Sequence, residues 1–222
     1  ALAEALTNVA KAAGAKTRAL ITDMNQPAAP AVGNALEIAE VMRVLTDPKP
    51  DQRLCQLTLA LTGELLALAG VHATPEDGGR AALKVLHNGK AAEKFVYMVA
   101  EQGGPIDILD GGVARYLPVA PVTRPVFPTE PGKVTSIDGT ALGQLVVKLG
   151  GGRMHPDDEI DPTVGLAEVA SLGDTVDNYR PLAIVHAADT AAAAEAAQVV
   201  RSAIQVGEAA TIPPLIHGRV NP

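Results

Sequence analysis

Apolar residues recur at three- and four-residue intervals along the first half of the chain, which predicts amphipathic helices. The first helix ends before Gly14, and one apolar face is formed by Leu2, Ala5, Leu6, Val9, Ala10 and Ala13. The apolar run 19–24 predicts a buried strand with the polar Asp23 near its carboxyl end. Further helices are predicted at 35–45, 52–69, 75–87 and 88–103. A helix followed by a buried strand is typical of an α/β layer.

The ends of these helices carry recognisable signals. Asn34 and Thr74 are good N-cap residues, and Pro75 and the acids after it suit a first helical turn. The helix at 52–69 has leucines at near-helical spacing, which predict its apolar face: Leu54, Leu57, Leu61, Leu65 and Leu68. The first half is therefore predicted to be helix-rich.

The second half has a different pattern, with short apolar runs between turns. Prolines are frequent at 118–131, which suits turns and the edges of short strands. Strands are predicted at 133–137, 163–169 and 181–187, and helices at 139–149 and 190–206, the last capped by Asp189. The tail from 211 is predicted to be irregular. We therefore predict two domains, 1–118 with part of an α/β fold and 119–222 with a small α+β fold.

Composition narrows the class of protein. The formal net charge of −7 argues against nonspecific binding to nucleic acid. The single Cys55 excludes an internal disulfide and a multi-cysteine metal cluster. No apolar run is long enough to span a bilayer and no signal peptide is visible, so we expect a soluble, cytoplasmic protein without a membrane partner.

Candidate chemistry is sparse when single motifs are considered. The histidines have no metal-site spacing: His72, His87, His155, His186 and His217. The glycines at 150–152 with Arg153 form either an anion-binding nest or, as we favour, a helix terminator. The acids at 157–161 form either a Ca²⁺ site or, as we favour, a solvated turn. Cys55 is expected to be a small core residue. A carboxylate such as Glu40, facing carbonyls of the loop before its helix, would suit a hard cation.

Several longer segments resemble one known family. They are LITDMNQPAAPAVGNALEIAE at 20–40, NGKAAE at 88–93, GKVTSIDGTALGQLVVKLGGGR at 132–153, DEIDPTVGL at 158–166 and LGDTVDNYRPLAIVHA at 172–187. Together and in this order they resemble the pyrimidine-nucleoside phosphorylases, and within that family the enzymes that cleave thymidine. The resemblance covers most of the chain.

The resemblance implies phosphorolysis, in which thymidine and phosphate give thymine and 2-deoxyribose 1-phosphate. It implies that 1–118 is the later part of the family's phosphate-binding α/β domain and that 119–222 is its C-terminal domain, similar to a barrel-sandwich hybrid. The family's phosphate- and base-binding residues match no position here and are expected before Ala1, so no catalytic or substrate-binding residue is assigned. The chain is then an inactive carboxyl-terminal fragment, and Leu20, Ile21 and their neighbours should be less covered than a strand centre or be covered by another copy.

One site of the family does have matching positions. The resemblance implies that a monovalent cation such as K⁺ is held by the backbone carbonyls of Ala28 and Ala31 and by the side chain of Glu40, although Pro30 departs from the family's usual loop. No other cofactor is expected, and the family implies a homo-oligomer. The alternatives are a noncatalytic carrier-like or interaction module that reuses the C-terminal domain, and a fragment of a related nucleotide phosphorylase.

Overall fold

The fold is that of a computed structural model, which describes residues 1–49, 52–110 and 115–220. The helices are α1 (Leu2–Ala12), α2 (Asn34–Thr46), α3 (Arg53–Leu68), α4 (Pro75–His87), α5 (Lys90–Glu101), α6 (Gly139–Val146) and α7 (Thr190–Ala203). The strands are β1 (Ala19–Thr22), β2 (Ala31–Val32), β3 (Val122–Val126), β4 (Gly132–Ile137), β5 (Gly165–Ala167), β6 (Thr175–Val176), β7 (Ala183–Ala187), β8 (Ile204–Gly207) and β9 (Ile216–Val220). The fold is therefore mixed α/β, and most of the predicted helices are confirmed.

The chain divides into two compact units. The first unit comprises residues 1–23, 44–98 and the carboxyl-terminal residues from 213, and the second comprises 24–43 and 99–212. The domain boundary predicted at 118/119 stays a prediction, because compactness in space and the domain boundary of a family are different properties.

In the first unit, β1 pairs with β9 in antiparallel orientation, with Ala19 opposite Val220 and Leu20 opposite Arg219. The irregular tail predicted from 211 is therefore wrong in part, because a tail strand satisfies the open edge of β1. The strand β1 is also not the buried strand that its apolar run predicts, since Ile21 is 47% exposed. This exposure confirms the other expectation, that Leu20 and Ile21 are less covered than a strand centre.

The apolar faces of two helices in this unit are not where the hydrophobic pattern predicts burial. On α1 the apolar stripe is solvent-exposed, and the buried side chain is Thr7. On α3 the exposed residues include Leu61 and Leu65, whereas the buried positions are Cys55, Gly63 and Glu64. The burial of Cys55 confirms its prediction as a small core residue.

The second unit has two antiparallel sheets, in the orders β2-β5-β7-β3 and β6-β4-β8. The strand β3 contains Pro125 and lies at the edge of its sheet, which confirms the placement of prolines at edges. A π-helical turn at Val147–Gly151 continues α6. The barrel-sandwich description of this region stays a prediction.

The core of the second unit is aliphatic and lies between these sheets and the helices α6 and α7. Its fully buried side chains include Leu142, Leu166, Leu182, Val126, Val134, Val176, Val185 and Val200. Small alanines of α7 let this helix approach the strands closely: Ala193, Ala196 and Ala197 are buried. This core explains how a chain with 2% aromatic residues still packs. In the described residues, no helix combines the length and the apolar character that crossing a membrane requires.

Candidate functional site

The three residues of the expected cation site all lie in the second unit. Ala31 is buried in β2 and pairs with Ala167 of β5, whereas Ala28 is half-buried in the loop before β2. Glu40 lies on α2, where its Oε2 accepts hydrogen bonds from Arg43 Nε at 2.8 Å and Nη2 at 2.7 Å. A cation at Glu40 would therefore share the carboxylate with Arg43.

The loop that carries Ala28 and Ala31 is held by contacts to the strand β5 and its neighbours. The Pro30 carbonyl accepts from Val169 N at 3.0 Å. A side chain at Gly33 would place its Cβ 2.6 Å from the Val164 carbonyl oxygen, and one at Gly165 would be 2.2 Å from the Val32 carbonyl oxygen. Glycine at both positions is therefore a condition of this close approach.

The start of α2 is capped differently from the prediction. The side chain of Asn34 lies inside the first turn and donates from Nδ2 to the Gly151 carbonyl at 2.9 Å. Glu37 Oε1 instead accepts from Gly33 N at 3.1 Å. Glu37, the fourth residue of α2, thus satisfies a backbone donor at the amino-terminal end of the helix.

In the turn at 153–158, two backbone N–H groups are hydrogen-bonded to a side chain of the same turn. Asp158 Oδ2 accepts from Met154 N at 2.9 Å and from His155 N at 2.8 Å. Arg153 Nε donates to the Asp158 carbonyl at 3.2 Å. These contacts favour the interpretation as a helix terminator and solvated turn over an anion nest or a Ca²⁺ site.

A buried carboxylate lies at the end of β1 in the first unit. Asp23 has a fully buried side chain, and its Oδ2 lies 3.0 Å from Arg53 Nη2. His217 Nε2 lies 3.5 Å from the other carboxylate oxygen. The structure thus brings together residues from β1, α3 and β9 that are far apart in sequence, and the sequence alone did not associate Arg53 or His217 with Asp23.

A second buried carboxylate, Glu64 on α3, is contacted by two arginines. Arg18 Nη1 donates to Glu64 Oε2 at 3.0 Å. Arg219 Nε lies 2.7 Å from Glu64 Oε1, as an ion-pair contact without the alignment of a hydrogen bond. A lone acid in the otherwise uncharged stretch 57–69 was the available sequence signal for such a pair, because a buried charge needs a partner.

The described ranges 1–49, 52–110 and 115–220 contain no cluster of side chains that could bind a metal ion. No three His, Cys, Asp or Glu side chains in them are close enough to hold a metal ion. His155 has a 79% exposed side chain, as its polar turn predicts. His186 is half-buried in β7, where burial lowers its pKa, as suits a structural histidine.

Part of the second unit is similar to a known protein family. Residues 133–207 match the family described as pyrimidine nucleoside phosphorylase C-terminal domain. The matched segment runs from β4 to β8 and includes both helices of the second unit's core. It coincides with two of the segments that carry the resemblance noted in the sequence and with part of a third. The match covers about a third of the chain, so it shows that residues 133–207 are similar to the C-terminal domain of this family.

Proposed function

We propose that this chain is part of a thymidine phosphorylase, which catalyses the reversible phosphorolysis of thymidine to thymine and 2-deoxyribose 1-phosphate. The observation that carries the proposal is the match of residues 133–207 to the C-terminal domain of the family. The preference for thymidine rests on the residues of the segment DMNQP at 23–27. Phosphate and a pyrimidine nucleoside are then the substrates of the whole enzyme.

In this reaction the chain has a structural role. Phosphorolysis needs phosphate on one side of the sugar, and donors or positive groups that stabilise the departing pyrimidine anion. The family residues that do so match no position of this sequence, so none is assigned here. The second unit instead supplies a rigid aliphatic core, on which the loop 26–33 and α2 are fixed by the close approach of Gly33 and Gly165.

The test is a phosphorolysis assay with thymidine and inorganic phosphate, run on the 222-residue chain and on the full product of its gene. We expect thymine release from the full product and none from the 222-residue chain. Faster turnover of another pyrimidine nucleoside or of a nucleotide would reassign the protein to a related phosphorylase. Failure of the full product on all of them would favour a noncatalytic module.

We also propose that a monovalent cation such as K⁺ binds at Ala28, Ala31 and Glu40. The side chain of Glu40 is only 21% exposed, and carbonyl and carboxylate oxygens are suitable ligands for a hard cation. Crystals soaked in Rb⁺ or Tl⁺ should give an anomalous peak within coordination distance of Glu40. The peak should vanish in Glu40→Gln, and its absence from the parent protein would refute the site.

The same resemblance leads us to propose a homo-oligomer in the cytoplasm. Sedimentation velocity of the full gene product should give a dimer or larger species. A monomer across the micromolar range would contradict the assembly. Fluorescence of a tagged full gene product confined to a membrane or to the cell exterior would contradict the location.

A further inference from the structure

An open groove of about 630 Å³ lies on the first unit. It is formed by the end of α1, the loop from there to β1, the carboxyl-terminal half of α3, the start of α4 and the tail strand β9. Its charged lining consists of Lys11, Lys16, Arg18, Arg219 and Glu64. All of these residues belong to the first unit, so the groove is formed within one compact body.

The lining of the groove has a positive net charge, although the net charge of the whole chain is negative. Its lining carries four basic side chains and one acid, which gives 4 − 1 = +3, whereas the whole chain has a formal charge of −7. Glu76 lies 3.8 Å from Arg219 at the margin and reduces this local excess. A concave surface of one sign concentrates ions of the opposite sign. The groove therefore attracts anions.

The buried Glu64 orients the two arginines and neutralises only part of their positive charge. Glu64 contacts one nitrogen of Arg18 and one of Arg219. A guanidinium carries several further N–H donors in a fixed plane, so a single contact to Glu64 orients the group without exhausting it. Because the one buried carboxylate serves two solvent-accessible arginines, the three side chains together keep a net positive charge. Lys11 and Lys16 are exposed and can turn toward a bound ligand.

We propose that this groove binds a small phosphate monoester, with the phosphate held by Arg18, Arg219, Lys11 and Lys16. Guanidinium groups pair with phosphate oxygens through two parallel hydrogen bonds, and lysines add compact charge. The groove volume falls in the range of about 300–1,000 Å³ found for small-ligand pockets and exceeds the size of a bare phosphate ion. An organic part such as a sugar is therefore expected beside the phosphate. The proposal does not depend on the phosphorolysis activity.

Isothermal titration calorimetry of the 222-residue chain with ribose 5-phosphate tests this site at constant ionic strength. We expect saturable binding of one equivalent, tighter than that of inorganic phosphate. The double variant Lys11→Gln/Lys16→Gln should weaken binding on the order of tenfold, as expected for the loss of two charge contacts. Both lysines are exposed, so thermal unfolding should confirm an intact fold.

The matched control is Lys84→Gln/Lys90→Gln, which removes the same charge from exposed positions of the first unit outside the groove. It should bind ribose 5-phosphate as the parent does. Equal weakening by the two double variants would reduce the effect to net charge and overturn the site. Equal affinity for ribose 5-phosphate and inorganic phosphate would overturn the assignment to an ester, and so would the absence of saturable binding.

Discussion

His186 shows how burial sets the behaviour of a single residue. It lies in β7, opposite Thr123 of β3 and Gly165 of β5, and is half-buried. Burial lowers the pKa of its imidazole below the ordinary value of 6.5, while the nearby charge of Glu168 acts in the opposite direction. The folded protein therefore prefers the neutral imidazole.

This shift predicts a loss of stability in acid. As the pH falls through 6.5, the unfolded chain binds a proton at His186 more readily than the folded one, so the free energy of unfolding decreases. The decrease ends below the lowered folded-state pKa, where both states are protonated. Urea denaturation of His186→Gln between pH 7.5 and 5 should show a weaker pH dependence than the parent.

The control for this prediction is His155→Gln, because His155 is exposed in a turn. The loss of pH dependence should be larger in His186→Gln than in this control. An unchanged slope in His186→Gln would show that burial of this imidazole does not influence stability.

At the scale of elements, α3 and α4 pack through glycines. A Cβ at Gly63 would lie 2.3 Å from the Pro75 carbonyl oxygen and 2.9 Å from Gly79 N. A Cβ at Gly78 would lie 2.8 Å from the Gly63 carbonyl oxygen. The backbones of these helices are therefore in direct contact at these glycines, and Leu61 and Leu65 of α3 are exposed to solvent.

Gly63→Ala should destabilise the protein, because the added methyl group forces the two helices apart. Overpacking of this kind costs about 1–3 kcal/mol in the free energy of unfolding. Gly79→Ala is the matched control in α4, since its Cβ would meet only the Leu59 carbonyl oxygen at an ordinary 3.5 Å. Its better helix propensity should raise stability by up to about 1 kcal/mol.

Both changes can be measured by chemical denaturation. If Gly63→Ala left the free energy of unfolding unchanged within experimental error, α3 and α4 could move apart without a loss of stability. Equal destabilisation by both substitutions would assign the effect to glycine flexibility and not to helix contact.

At the scale of the whole first unit, charge pairs join segments that are distant in sequence. Asp23 at the end of β1 is contacted by Arg53 of α3 and His217 of β9. Glu64 of α3 is contacted by Arg18 and Arg219. The tail strand is thus held by backbone pairing with β1 and by two buried carboxylates.

Arg53→Met should therefore be strongly destabilising. It leaves the fully buried carboxylate of Asp23 without its nearest cation, which costs about 3–5 kcal/mol for a buried pair. Arg80→Met is the control, because Arg80 is 73% exposed and pairs with Asp77 on the surface. It should change stability by less than about 1 kcal/mol. If Arg53→Met and Arg80→Met lowered the free energy of unfolding equally, the burial of the Asp23 carboxylate would not explain the cost.

Local signals in the sequence determined the helices. Thr74 accepts from Asp77 N and Asp189 accepts from Ala192 N, so both predicted caps are confirmed. The helices at 75–87 and 190–203 begin where these caps predict. A cap and its helix interact within a few residues, so a linear pattern contains the necessary information. The placement of Pro125 in an edge strand follows from the same kind of local rule.

Only the tertiary structure decided what each apolar face meets. The tail becomes the strand β9 because β1 offers it an open edge, and α3 is covered on the side of Gly63 because α4 approaches there. The pairing of Asp23 with Arg53 and of Glu64 with Arg18 and Arg219 likewise depends on contacts between distant segments. Hydrophobic periodicity defines a face of an element but not its partner, and charges separated along the chain meet only when the chain is folded. The sequence by itself thus determined the elements and the family resemblance, and tertiary contact decided the buried charges and the positive groove.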